Sequence, residues 1–209
     1  MKDSPLYPVL YMVVLAAVFG AAVSAVAVAT RSRVEAGERA RFRSHVLYAL
    51  GVEAPEDPEA LAGVWTRTVE ARRDGDGPYF VARAADGSVR GYAFLFRGQG
   101  FWGPIEGVLA VDPAGERVLG LSFTAHQETP GLGGRIAEDW FREQFRGKPV
   151  RAPGPGAPVL RFVFRKPAGE REVEAITGAT QTSRRLARFL NDFLTRLPGR
   201  APLARGGAG

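Results

Sequence analysis

The chain has 209 residues, a formal net charge of +6 and 45% hydrophobic residues. It contains no cysteine, so by itself it cannot hold an iron–sulfur cluster, a thiolate zinc site or a disulfide. Its two histidines, His45 and His126, lie far apart without a ligand-spaced partner, so no metal site is expected.

Residues Ser4 to Thr30 carry no charge, and Val9 to Ala29 is almost wholly apolar. At 1.5 Å per residue, about 20 helical residues span the roughly 30 Å hydrocarbon core of a bilayer. Residues 9–30 therefore read as a single transmembrane helix behind an N-terminal tail of residues 1–8. A cleaved signal peptide is the competing reading. The small residues of Ala25-x-Ala27 and Ala27-x-Ala29 favour it, whereas an apolar stretch longer than the usual run of about 7–15 residues opposes it. Lys2 precedes the stretch while Arg31, Arg33, Arg39, Arg41 and Arg43 follow it, so the positive-inside rule points the large domain toward the cytoplasm.

Residues 31–52 read as a juxtamembrane helix ending near Gly51, and Pro55 to Pro58 as a loop. The chain beyond the apolar stretch, about 175 residues, is long enough for one compact domain. Strand-like runs follow at Trp65 to Ala71, Tyr79 to Ala84, Val89 to Arg97, Ile105 to Val111 and Val118 to Thr124. Asp74-Gly75, Asp86-Gly87 and Asp112-Pro113-Ala114-Gly115 punctuate them as turns. Trp102, in Phe101-Trp102-Gly103-Pro104, is placed either to wall a pocket or to pack in the core. A helix over Ile136 to Phe145, a strand over Val159 to Arg165 and a helix over Arg184 to Leu197 complete an α+β domain, residues 53–197, with a mainly antiparallel sheet and flanking helices. Pro153-Gly154-Pro155-Gly156 reads as a loop, and the Gly-, Arg- and Pro-rich residues 198–209 as a disordered tail.

Two segments carry chemical information. In Glu128-Thr129-Pro130-Gly131-Leu132-Gly133, Pro130 pins one torsion while Gly131 and Gly133 admit conformations closed to other residues. Such a loop either lays its backbone against a flat ring or caps the following helix. In Thr177-Gly178-Ala179-Thr180-Gln181-Thr182-Ser183, a β-branched and acidic run meets a tight turn and a helix start. The unpaired N–H groups of a first helical turn favour an anion, and small residues let a phosphate approach the backbone. The hydroxyls of Thr180, Thr182 and Ser183 either serve that anion or cap the helix. There is no dinucleotide fingerprint, Walker loop, Gly-x-Ser-x-Gly elbow or His-Glu-x-x-His helix.

Together, Glu128 to Gly133 and Thr177 to Ser183 resemble the FMN-binding domain found in one subunit of each of two membrane redox complexes, the sodium-translocating NADH:quinone oxidoreductase and the related Rnf electron transport complex. The resemblance implies that a flavin transferase joins FMN by a phosphoester bond to Thr180, the last residue of an Asp-x-x-Ser/Thr-Gly-Ala-Thr/Ser pattern. The chain has Glu174 where that pattern has Asp. It further implies a cofactor site of Thr180, Thr177, Gly178, Ala179, Thr182, Glu128, Thr129, Gly131, Leu132 and Gly133, with Leu132 as an apolar surface near the isoalloxazine and Glu128 and Thr129 as hydrogen-bonding groups. The Trp-Gly-Pro turn leans toward the sodium-pump protein.

The same resemblance places the domain on the periplasmic side of the inner membrane. That orientation is expected here, with Glu35 and Glu38 offsetting the neighbouring arginines. The expected partners are other membrane subunits of a redox-driven ion pump, the flavin transferase and the lipid bilayer. The basic residues are scattered among acids with no nucleic-acid module, so nucleic acid is not an expected partner. An FMN carrier needs no catalytic acid, base or nucleophile of its own. The expected function is an electron-relay subunit that turns nothing over alone. The alternatives are an Rnf-type subunit and a membrane-tethered binding domain without flavin.

Overall fold

The computed structural model describes residues 6–204, so the first part of the expected N-terminal tail lies outside the described residues. The chain divides into two structural units, Met1–Ala40 and Arg41–Gly209. Helix α1, Leu6–Ala49, begins in the first. None of its apolar window is buried, and among the described residues it is the one helix long and apolar enough to cross a membrane. From Leu6 to Ala29 it measures about 36 Å, enough for the hydrocarbon core. Beyond the apolar stretch, Glu35 pairs with Arg31 at 2.9 Å and with Arg39 at 3.1 Å along one stripe of the helix. The expected anchor and juxtamembrane helix are thus a single element rather than two.

In the second unit, the last turns of α1 are buried, with Val46, Leu47 and Ala49 wholly covered. The helix stops where Gly51, at φ 66°, lets its N–H reach the Tyr48 carbonyl and that of Val52 the Leu47 carbonyl, a Schellman closure. Helix α2, Pro58–Thr68, was not expected. Asp57 caps it by accepting from the Ala60 N–H at 2.7 Å, with Pro58 at the first helical position. The strand expected at Trp65 to Ala71 begins instead at Val69, because Leu61 and Trp65 fall on one helical face. Trp65 meets Phe42 and Phe80 there in edge and tilted ring contacts.

Five strands follow as an antiparallel meander: β1 Val69–Asp74, β2 Gly77–Arg83, β3 Val89–Gln99, β4 Pro104–Val111 and β5 Val118–Ala125, in that spatial order. Their alternation gives the sheet two covered faces. One face carries Tyr79, Phe94, Phe96 and Phe123 and packs under helix α4, Thr180–Arg196, whose Leu186, Leu190 and Leu194 are fully buried. The other presents Phe80 and Ser122 to Phe42 and His45 of α1.

Beyond β5 the helix expected over Ile136 to Phe145 is broken into a 3-10 turn, Gly133–Ala137, and helix α3, Asp139–Glu143, because Glu138 is extended between them. The strand expected at Val159 to Arg165 is the shorter β6, Arg161–Val163, paired in parallel with β7, Glu172–Glu174. The final helix starts at Thr180, ahead of the expected Arg184.

Part of the expected disordered tail is ordered. Leu197–Gly199 forms a 3-10 turn and Ala201–Ala204 a short helix, α5. Arg200 reaches Asp74 at 2.6 Å across a nearly buried pair and lies over the Phe94 ring at 5.0 Å. Residues 205–209 lie outside the described residues.

Where α1 meets β5, buried Ser122 links His45 Nδ1 at 2.9 Å with an Arg142 N–H donor at 3.2 Å. The serine accepts from Arg142 and pairs with the His45 ring. Burial, and secondarily the charge of Arg142, lower the His45 pKa from 6.5. The unfolded chain therefore binds the extra proton first, and stability is lost as pH falls below that value. The urea midpoint is expected to decline between about pH 7 and pH 5.5, above the carboxylate range. His45→Asn is expected to flatten that slope.

Candidate functional site

Three segments distant in sequence converge on one cleft of about 300 Å³. The β3–β4 turn supplies Phe101 and Trp102; the loop after β5 supplies Glu128, Thr129, Leu132 and Gly133; the entry to α4 supplies Gly178, Ala179, Thr180, Gln181 and Thr182. The meander places the first two side by side, since β3, β4 and β5 are neighbours and both segments leave the same end of the sheet. The packing of α4 on β3 brings its first turn to that end.

The loop after β5 turns because Pro130 and Gly131, at φ 74°, occupy the centre of a turn closed by the Leu132 N–H on the Thr129 carbonyl at 3.1 Å. This leaves Leu132 46% exposed at the mouth of the cleft, with Phe101 at 45% and Trp102 at 64%. Large apolar side chains this open form a rim rather than a core.

The entry to α4 is held by Ser183, whose Oγ accepts from the buried Ile176 N–H at 3.1 Å. Gly178, at φ 83°, supplies the left-handed step between β7 and the helix. No side chain caps α4. Of the three hydroxyls read as capping or anion groups, Ser183 holds Ile176 and Thr182 donates to Glu128 at 2.6 Å. The hydroxyl of Thr180, a half-buried residue lining the cleft, has no hydrogen-bond partner among the described residues. The capping alternative is thus not what the structure displays.

Eight of the ten expected site residues line the cleft: Thr180, Gly178, Ala179, Thr182, Glu128, Thr129, Leu132 and Gly133. Thr177 and Gly131 do not; both are exposed turn residues whose backbone shapes the motifs. Phe101 and Gln181 line it without having been singled out, and Trp102 takes the pocket wall rather than the core. Glu174 lies outside the lining, its backbone N–H bound to Gln144 Oε1 at 2.7 Å. His126 is also outside, with its Nδ1 buried and unpartnered. Among the described residues no cluster of three or more histidine, aspartate or glutamate side chains is suited to a metal ion.

Residues 100–195 match the model of the FMN-binding domain family, and every residue lining the cleft falls within that span. Over that span the chain resembles this family. It is 32% identical over 117 residues to a Na(+)-translocating NADH-quinone reductase subunit of Yersinia pestis, covering 55% of this chain and 44% of that protein. It is 30% identical over 124 residues to a subunit of the proton-translocating ferredoxin:NAD(+) oxidoreductase complex of Clostridium ljungdahlii, covering 59% and 62%. The chain thus spans about half the length of such relatives. The crystal structure of Shewanella oneidensis NqrC shares the fold with a TM-score of 0.71 at 19% identity, covering 83% of this chain and all of that one. The Na(+)-translocating NADH-quinone reductase subunit from Parabacteroides distasonis superposes with a TM-score of 0.65 at 25% identity, covering 78% and 92%.

The cleft suits FMN on its own chemistry. It offers apolar surfaces for a flat ring at the rim, and a free hydroxyl beside an uncapped helix start, where a phosphate is favoured. Its volume is at the lower end of the range for small-molecule pockets.

Ser183→Ala would strip the buried Ile176 N–H of its acceptor. A loss of about 1–3 kcal/mol is expected from urea unfolding, without change in the far-UV spectrum.

Proposed function

We propose that this chain is a membrane-anchored electron-transfer subunit carrying FMN on Thr180 through a phosphoester bond, within an ion-translocating oxidoreductase of the NADH:quinone type. The observation that carries the reading is the free Thr180 hydroxyl at an uncapped helix start, facing the loop of Glu128 to Gly133 across one cleft. When bound, FMN supplies one- or two-electron transfer.

The chain's own residues have three tasks. The first turn of α4 offers its amide groups to the phosphate, and Thr180 supplies the linking oxygen. Leu132, Phe101 and Trp102 shield part of the ring while leaving the rim open. The open rim suits exchange with a neighbouring carrier, since electrons need proximity rather than a buried channel. A flavin transferase, other membrane subunits and the bilayer are the partners this role requires. The apolar helix serves as a single-pass anchor in the inner membrane, with the FMN domain on the periplasmic side. A covalent tether there prevents loss of a cofactor that would otherwise dilute away.

A second reading, an Rnf-type subunit in a ferredoxin:NAD oxidoreductase, is favoured by the clostridial relative, of which the chain covers a larger share than of the Yersinia relative.

Co-expression with a flavin transferase tests the proposal. The expected result is an FMN-sized mass adduct on the Thr180 peptide, abolished by Thr180→Val. Wild-type protein with neither adduct nor releasable flavin, beside an active transferase control, would overturn it.

A further inference from the structure

Glu128 is 4% exposed, yet all its hydrogen-bond partners are neutral. Its Oε1 accepts from the backbone N–H groups of Phe101 at 2.8 Å and Trp102 at 3.1 Å, and its Oε2 from the Thr182 hydroxyl at 2.6 Å. Each partner donates, so both oxygens act as acceptors, the role of an ionised carboxylate. Among the described residues no arginine or lysine lines the cleft.

The packing around this group is close. A Cβ on Gly100 would lie 2.4 Å from Oε1, and one on Gly133 would lie 2.6 Å from Oε2 and 2.5 Å from Thr182 Oγ1. The chain therefore builds a tight neutral cage around a negative charge on the wall of the cleft. A buried charge without a counter-ion acts over longer range than a paired one, because the protein interior screens it weakly. A purely structural clip between loops needs no such charge, since a neutral amide accepts the same N–H groups.

We propose that Glu128 sets the redox potential of the flavin, holding it low by placing an uncompensated negative charge beside the ring. The proposal rests on the reading that the cleft holds FMN. Uptake of two electrons with one proton adds one negative charge to FMN, and an adjacent anion opposes that gain. Glu128 also ties the aromatic rim to the first turn of α4, two residues beyond Thr180. It thus acts on the flavin through position and field and takes no part in proton or electron transfer.

The test is spectroelectrochemical titration of the flavin-loaded full chain, with dithionite as reductant, in wild type, Glu128→Gln and Thr182→Val. Glu128→Gln removes the charge and keeps the shape. Its oxidised-to-reduced equilibrium is expected to move at least tenfold toward the reduced form, about 30 mV upward for a two-electron couple. Thr182→Val keeps the charge and removes one hydroxyl dipole that partly screens it, so the potential is expected to fall. Opposite signs identify a field effect; shifts of the same sign, or no shift in Glu128→Gln, overturn the proposal.

If Glu128→Gln does not load flavin, Thr182→Val decides alone: a lowered potential upholds the proposal and an unchanged or raised one overturns it. Mass analysis of the wild type separates the two levels. Flavin-free wild type overturns the FMN reading and the proposal with it, whereas loaded wild type with unshifted variants overturns the proposal alone.

Discussion

The cleft depends on one carboxylate accepting three hydrogen bonds. Glu128 meets two backbone amides of the β3–β4 turn and one hydroxyl of α4, and so joins three segments far apart in sequence. Burying a carboxylate is costly unless its oxygens are satisfied, and satisfying them draws those segments to one point. The geometry is over-determined: the glycines at 100 and 133 are where they are because any side chain there would collide with this group.

Everything around the clip serves to deliver its donors. The antiparallel meander places the β3–β4 turn next to the end of β5, and the aromatic layer of Phe96, Phe123, Phe189 and Phe193 seats α4 at a fixed height over the sheet. Ser183 then fixes where the helix begins, which determines that Thr182 points inward and that Thr180 remains open to the cleft. A half-turn error there would bury the wrong threonine.

The two motifs were legible because glycine, proline and hydroxyl residues at fixed spacing have few structural uses, and four of the five strands because alternation and turn residues agreed. Helix α2 was not, since Trp65, Thr66 and Thr68 favour a strand locally. The cap at Asp57 and the packing of Trp65 on Phe42 and Phe80 decide otherwise. The break at Glu138 and the ordering of Arg200 likewise follow from tertiary partners, Asp74 lying 126 positions from Arg200. The mutual satisfaction of Glu128 and Thr182 was invisible for the same reason, with 54 positions between them. By sequence both are ligand groups, whereas the structure engages each with the other.

The burial of Arg200 against β1 has a consequence for α4. Arg200 follows that helix after a single 3-10 turn, and its bond to Asp74 ties this stretch to the first strand of the sheet. Ser183 fixes the other end of α4 through the Ile176 N–H. The helix that carries Thr180 and Thr182 is therefore pinned at both ends, so sliding it along the sheet would break a buried contact at each.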